Sequence, residues 1–202
     1  MHGNGQDQIA QIHKSGELVI HGDVGQCYGY GSKGGEMFVL GNAAGRPMIN
    51  SVGGPKLVIN GTALDYLAES FMAGDPLDGG GFVIINGLKF GVDGSMSALE
   101  TPYPGGNLFS LSSGGAIYVR DPHERLSSSQ LNGGEFTDLT EADWEVIEPV
   151  LLRNEEHFDI ALERLLTVGG ERRRPYEVYR KIVPVKSKTL HAEAAWVGHH
   201  DD

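Results

Sequence analysis

One short unit returns five times in the first 121 residues, and it restricts the fold more than any other feature. Its clearest copy is Gly35-Glu36-Met37-Phe38-Val39-Leu40-Gly41-Asn42. The others are Gly16–Asp23, Pro55–Thr62, Gly81–Gly87 and Gly115–Asp121. Each is a turn, a short apolar strand and a second turn. The copies close on the turn residues Gly22, Gly41, Gly61, Gly87 and Asp121. Two positions earlier stand Ile20, Val39, Ile59, Ile85 and Val119, all β-branched. Four positions earlier stand Leu18, Met37, Leu57, Val83 and Ile117, all apolar. The period-2 alternation of a strand thus coincides with column identity between strands. Stacked parallel strands require that coincidence, because like residues then pile into ladders.

The turn residues lie 19, 20, 26 and 34 positions apart. The shorter spacings suit one coil of a solenoid. The longer ones imply bulged loops, or an extra coil between Leu88 and Ser110. Weaker strand candidates at 26–30, 46–50 and 66–72 would form the other faces. The expected fold is an all-β, right-handed parallel β-helix with a short C-terminal helical cap and tail. A sandwich of antiparallel hairpins explains the many short strands but not the columns.

The expected organisation has four parts. Residues 1–14 read as a mobile polar arm, 15–139 as the β-helix, 140–186 as a cap with a closing strand, and 187–202 as an extended tail. A sixth copy at 134–139 puts Asp138 in the inward column, so the ladder should fail there. Thr140-Glu141-Ala142-Asp143 follows as a helix N-terminus with acidic residues in its first turn. Trp144, Ile147 and Leu151 give that helix an apolar stripe, and Pro149 should break or kink it. A second helix through Phe158, Ala161, Leu162 and Leu165 should end at Gly169-Gly170. Arg172–Arg174 and Pro175 then read as a basic linker, and 179–185 as an edge strand.

Thirty glycines among 202 residues, without a Gly-X-Y period, mark many tight turns. The net charge of −11 argues against nucleic acid or an anionic membrane as partner. A polar start and no long apolar run make a cytoplasmic protein the expectation. The single cysteine, Cys27, rules out an internal disulfide or a Cys-rich cluster within this sequence, and it reads as a buried inert thiol. Gly29-Tyr30-Gly31-Ser32-Lys33-Gly34 matches a nucleotide fingerprint in form only. A strand follows it where a phosphate-binding helix should begin. The His199-His200-Asp201-Asp202 end reads as a disordered terminus rather than a cation site.

Two columns remain. One position before the turns stand His21, Leu40, Asn60, Asn86 and Arg120, mostly polar. Three positions before stand Val19, Phe38, Val58, Ile84 and Tyr118. Alternation points this second column out of the solenoid, yet it is wholly apolar and must be covered. Either the C-terminal helices or another subunit would cover it. These five residues are therefore the candidate partner interface. On this reading Ile59→Asp unfolds the chain, whereas Val58→Asp affects folding less and weakens the docking of the partner or the cap.

The Gly-turn repeat, Gly29-Tyr30-Gly31, the Gly-Gly pairs at 34–35, 53–54, 79–80, 114–115 and 133–134, and Leu139-Thr140 opening a helical cap carry a resemblance. Together they resemble the GXGXG domain, the C-terminal β-helix of the glutamate synthase large subunit. The scaffold subunit of formylmethanofuran dehydrogenase is similar. Tyr179-Arg180-Lys181-Ile182-Val183-Pro184 looks like the closing strand of the first family. The resemblance spans roughly residues 15–186, with the 34-residue gap as its departure. It implies a scaffold in nitrogen metabolism with no catalytic, cofactor or metal residues of its own. FMN and iron–sulfur clusters would sit in partner chains, a glutamate synthase-like FMN/iron–sulfur subunit and a glutamine amidotransferase subunit, giving a hetero-oligomer. The opposing expectation is an independent ligand-binding or catalytic β-helix, with Asp93, Glu100 and Tyr103 in a protrusion at 89–110.

Overall fold

A computed structural model describes residues 1–185. Five parallel strands stack in register: β1 (Glu17–Ile20), β2 (Glu36–Val39), β3 (Lys56–Ile59), β4 (Phe82–Ile85) and, after an inserted hairpin, β7 (Ala116–Arg120). The hairpin is β5 (Leu88–Phe90) and β6 (Met96–Ala98), an antiparallel pair. The register sets Leu18, Met37, Leu57, Val83 and Ile117 in one ladder and Ile20, Val39, Ile59, Ile85 and Val119 in another. Both face a common interior with Tyr28, Met48, Leu67, Phe71, Leu108 and Phe109. The fold is the expected parallel β-helix.

A second ladder runs through Val24, Ala43 and Ala63 as single parallel bridges. At its corner, turn side chains bind the next coil. Asn4 accepts from the Asp23 amide at 3.0 Å, Asp23 from the Asn42 amide at 2.7 Å, and Asn42 from the Thr62 amide at 3.0 Å. The Asn and Asp of the repeat thus hold successive coils together as well as turning the chain.

The third face departs from expectation. The segments at 26–30, 46–50 and 66–72 are not strands. Every second residue is left-handed: Cys27, Gly29 and Gly31, then Arg46, Met48 and Asn50, then Tyr66, Ala68 and Ser70, then Asn107, Phe109 and Leu111. Neighbouring rungs still bond in both directions. Cys27 N donates to Gly45 O at 3.0 Å, while Met48 N donates back to Tyr28 O at 2.7 Å. Alternating handedness keeps the rung extended and satisfies its backbone groups from the coils on either side.

Residues 1–14 form the first coil rather than a mobile arm. Gln8, Ala10 and Ile12 repeat the left-handed pattern, and Gln8 N and Ile12 N donate to Gln26 O and Tyr30 O at 2.7 and 2.8 Å. His2 bridges His21. The segment is mostly polar, with Ile9 and Ala10 packed against the solenoid core. The rest of its fit to the stack comes from backbone bonds and from the Asn4 and Asp7 side chains.

The 34-residue gap is filled by the β5–β6 hairpin, after which the coil resumes. Phe109 N donates to Leu67 O at 3.0 Å, placing 107–111 on the rung above 66–70. The sixth copy, β8 (Gly134–Thr137), does not join β7. β11 (Tyr179–Pro184) runs antiparallel between them, so it is an interior strand rather than an edge. Between β8 and β11 the chain makes α1 (Glu141–Phe158), α2 (Leu162–Leu165), the hairpin β9 (Thr167–Val168) and β10 (Glu171–Arg172), and α3 (Pro175–Val178). Thr140 caps α1 through a reciprocal bond with Asp143. Pro149 does not break α1. Both it and Glu145, whose carbonyl loses its amide partner there, are exposed to water. α1 instead ends at Asp159, in left-handed conformation.

Val58 is as fully buried as Ile59, so aspartate at either position buries an unpaired charge. Each variant is expected to lose at least about 4 kcal/mol. Urea titration checks this, and a Val58→Asp melt close to wild type would contradict it. The two rung glycines should separate. A Cβ at Gly31 meets only Ile12 Cγ1 at 3.8 Å, whereas one at Gly29 meets Met48 Sδ at 2.6 Å. Gly31→Ala should cost about 1–2 kcal/mol of left-handed strain. Gly29→Ala should cost more in the same titration.

Candidate functional site

The column Val19, Phe38, Val58, Ile84 and Tyr118 is a continuous ladder on the outer face of the sheet. Phe38, Val58, Ile84 and Tyr118 are wholly buried, and Val19 is half-buried. Their cover is the chain itself. Ile147, Val150 and Leu151 of α1, Leu162 and Leu165 of α2, and Val178 close over them in a second hydrophobic core. These five residues are therefore not a surface open to a partner. The apolar stripe that makes α1 amphipathic supplies what the ladder needs within one chain.

The mostly polar column beside it does the fastening. Asn60 and Asn154 of α1 exchange amide hydrogen bonds at 2.8 and 2.9 Å, and both are buried. Asn86 donates to Asn60 at 2.9 Å and accepts from the Tyr179 hydroxyl at 2.8 Å. Arg120, only 8% exposed, donates to the carbonyls of Leu165 and Thr167 at 2.7 and 3.2 Å. Each buried polar group thus ties the solenoid to the cap with its partner in place. The sequence shows the column but not its partners, since Asn154 lies 94 residues from Asn60.

Asp143 is the centre of a second fastening. Its carboxylate accepts from Tyr118 at 2.9 Å, Lys181 at 2.6 Å and the Thr140 hydroxyl at 2.7 Å. Burial alone raises its pKa, but Lys181, Thr140 and Tyr118 outweigh that and hold it below the ordinary aspartate value. At the other end of α1, Arg153 and His157 both meet Glu17 of β1.

The proposed trio of Asp93, Glu100 and Tyr103 is not brought together. Asp93 lies at the exposed tip of the β5–β6 hairpin and accepts from the Ser95 amide at 3.0 Å. Tyr103 is in the solenoid core, its hydroxyl bonded to Gly106 O at 3.0 Å. Glu100 alone reaches a cavity. This is a cleft of about 330 Å³ between the hairpin, the loop after β7, and the α2–β9 segment. A second groove, of about 470 Å³, runs between Trp144 and Tyr176 with Arg172 and Arg174 on its edge.

The remaining motifs are structural. Gly29–Gly34 is a rung and turn leading into β2. Cys27 is half-buried at a left-handed rung position. Arg172, Arg173 and Arg174 pair with Glu163, Glu171 and Glu177. His199–Asp202 lies outside the described residues. Among the described residues no three His, Cys, Asp or Glu side chains form a metal-binding group, and no helix is long and apolar enough to cross a membrane. Comparison with family models, curated proteins and solved structures found no match.

Asp143→Asn leaves the Lys181 ammonium without its carboxylate and should cost about 3 kcal/mol at neutral pH. The wild-type contribution is fully present above the ordinary aspartate pKa and is lost as pH falls through the lowered value. Thermal melts at pH 7 and pH 3 should therefore show a smaller acid-induced loss in Asp143→Asn than in the wild type.

Proposed function

We propose that this chain is a non-catalytic scaffold subunit, working in the cytoplasm within a flavin and iron–sulfur oxidoreductase of the glutamate synthase type. Its partners on this reading are a glutamine amidotransferase chain and an FMN/iron–sulfur chain. FMN and the clusters belong to those partners.

The observation that carries the reading is the order of parts. A parallel solenoid holds Gly29-Tyr30-Gly31 in one of its left-handed rungs. A helical segment then crosses the outer ladder, and β11 returns into the sheet after it. That order supports the resemblance to the GXGXG domain drawn from the glycine pattern and the closing-strand motif. The ladder bonding of every coil to the next also suits a stiff spacer, since a solenoid with interlocked coils deforms little.

Self-coverage of the outer ladder moves the partner surface elsewhere. The scaffold reading now requires contacts on the exposed rungs, the coil end or the cap. Affinity purification of the tagged chain from its source tests it. Recovery of a yellow-brown complex containing an amidotransferase and an FMN-binding chain is the expected outcome, with the isolated chain colourless and lacking glutaminase activity. A molybdenum or tungsten enzyme in the same eluate would shift the reading to the formylmethanofuran dehydrogenase type. Glutaminase or oxidoreductase activity from the chain alone would overturn it.

A further inference from the structure

The chain contains nine arginines. Six of them, Arg46, Arg153, Arg172, Arg173, Arg174 and Arg180, pair with a carboxylate. The other three, Arg120, Arg125 and Arg164, have no carboxylate partner among the described residues, and all three line the cleft of about 330 Å³. They come from separate elements: the end of β7, the loop after it, and α2. In a protein of net charge −11, such convergence of uncompensated positive charge is not expected from composition.

The cleft is built rather than incidental. Arg120 is more than nine-tenths buried, and its Nε and Nη2 are held by the carbonyls of Leu165 and Thr167. Its Nη1 makes no bond among the described residues. Arg164 is oriented by a bond from its Nη2 to Met96 O at 2.9 Å. The Arg125 backbone is fixed by the Asp121 carboxylate at 2.8 Å, and its guanidinium makes no bond among the described residues. Asp121 does not neutralise the site, because Arg180 and the amides of Arg125 and Leu126 occupy it. Glu100 is the remaining carboxylate on the wall, so two of the three guanidinium charges stay unbalanced. Leu88, Met96, Ala98, Leu99 and Val168 give the same cleft an apolar side.

We propose that this cleft binds a small organic anion, with its carboxylate or phosphate group held by Arg120, Arg125 and Arg164 and its carbon skeleton against the apolar wall. Planar guanidinium forks suit bidentate contact with either oxyanion. The volume admits a metabolite-sized molecule rather than a polymer. The site is independent of the scaffold reading, since it uses neither the outer ladder nor a partner chain.

Isothermal titration of the full chain in low-chloride buffer, with inorganic phosphate in one arm and succinate in the other, tests the proposal and separates the two anions. One-to-one binding of at least one anion, tighter than chloride at equal ionic strength, is expected. Arg125→Gln and Arg164→Gln should each weaken it about tenfold, the effect of one charge-assisted hydrogen bond. Arg173→Ala, whose guanidinium pairs with Glu171 outside the cleft, should leave it unchanged. Arg125 makes no side-chain bond among the described residues, so its variant should keep the wild-type melting temperature and stays informative even where Arg164→Gln loosens the Met96 contact. Absence of binding by both anions, or wild-type affinity in Arg125→Gln, would overturn the proposal.

Discussion

The structure depends on a sheet that is apolar on both faces. In β2, β3, β4 and β7 nearly every residue is buried, so the solenoid interior can accept only half of the strand side chains. Parallel sheets commonly need cover on both sides. Here the inner cover is the rest of each coil, and the outer cover is the segment after residue 139. Tyr118 shows how the layers are joined. Its ring packs edge-on to Phe82 at 5.7 Å, and its hydroxyl reaches the buried Asp143 carboxylate. The cap is therefore part of the core and not an appendage to it.

The rungs solve a different problem. A coil of about 20 residues must return to its start within a small cross-section, while its backbone groups still find partners. Alternate left-handed residues achieve this by sending their N–H groups toward opposite neighbours in turn, Cys27 to Gly45, Gly29 to Ile9 and Gly31 to Ile49. The conformation is costly for residues with a Cβ, yet Met48, Ala68 and Phe109 adopt it and are wholly buried there. Burial and two-sided hydrogen bonding offset the strain. Glycine stands in this column at 29 and 31 for unequal reasons, one of space and one of conformation alone.

The inward ladders and the parallel register were legible because one residue type per column is a direct consequence of stacking. Val39, Ile59 and Ile85 announce their own alignment. The rungs are not legible, since Met48-Ile49-Asn50 and Ala68-Glu69-Ser70 share no residue type with Gly29-Tyr30-Gly31. Their common property is a backbone dihedral pattern. The first coil is hard to read because its bonding is mostly main-chain and most of its side chains are polar, with Ile9 and Ala10 contributing to the core. The outer ladder was legible as a surface needing cover, but its cover was not. Ile147 and Val58 lie far apart in sequence, and an amphipathic helix does not name the face on which it rests. That α1 runs on past Pro149 is not legible either, because a helical pattern does not reveal that Pro149 and Glu145 are exposed to water.

Repetition makes a stable stack but leaves every coil much like the next, so a unique site must arise where the repeat is interrupted. Two interruptions meet at one corner. The β5–β6 hairpin is inserted after Gly87, and the α2–β9 segment of the cap descends on Arg120, the residue that replaces Asn60 and Asn86 in the polar column. In the two coils before it that column carries an amide, at Asn60 and Asn86, which is satisfied within the protein. At the last coil it carries a guanidinium, with more donors than two carbonyls can take. The asparagines close an interface, whereas the arginine closes one, lines a cleft and keeps Nη1 without a partner among the described residues. A single substitution within an otherwise structural column thus changes its chemistry from fastening alone to fastening with a charged opening. The surrounding arginines extend that opening.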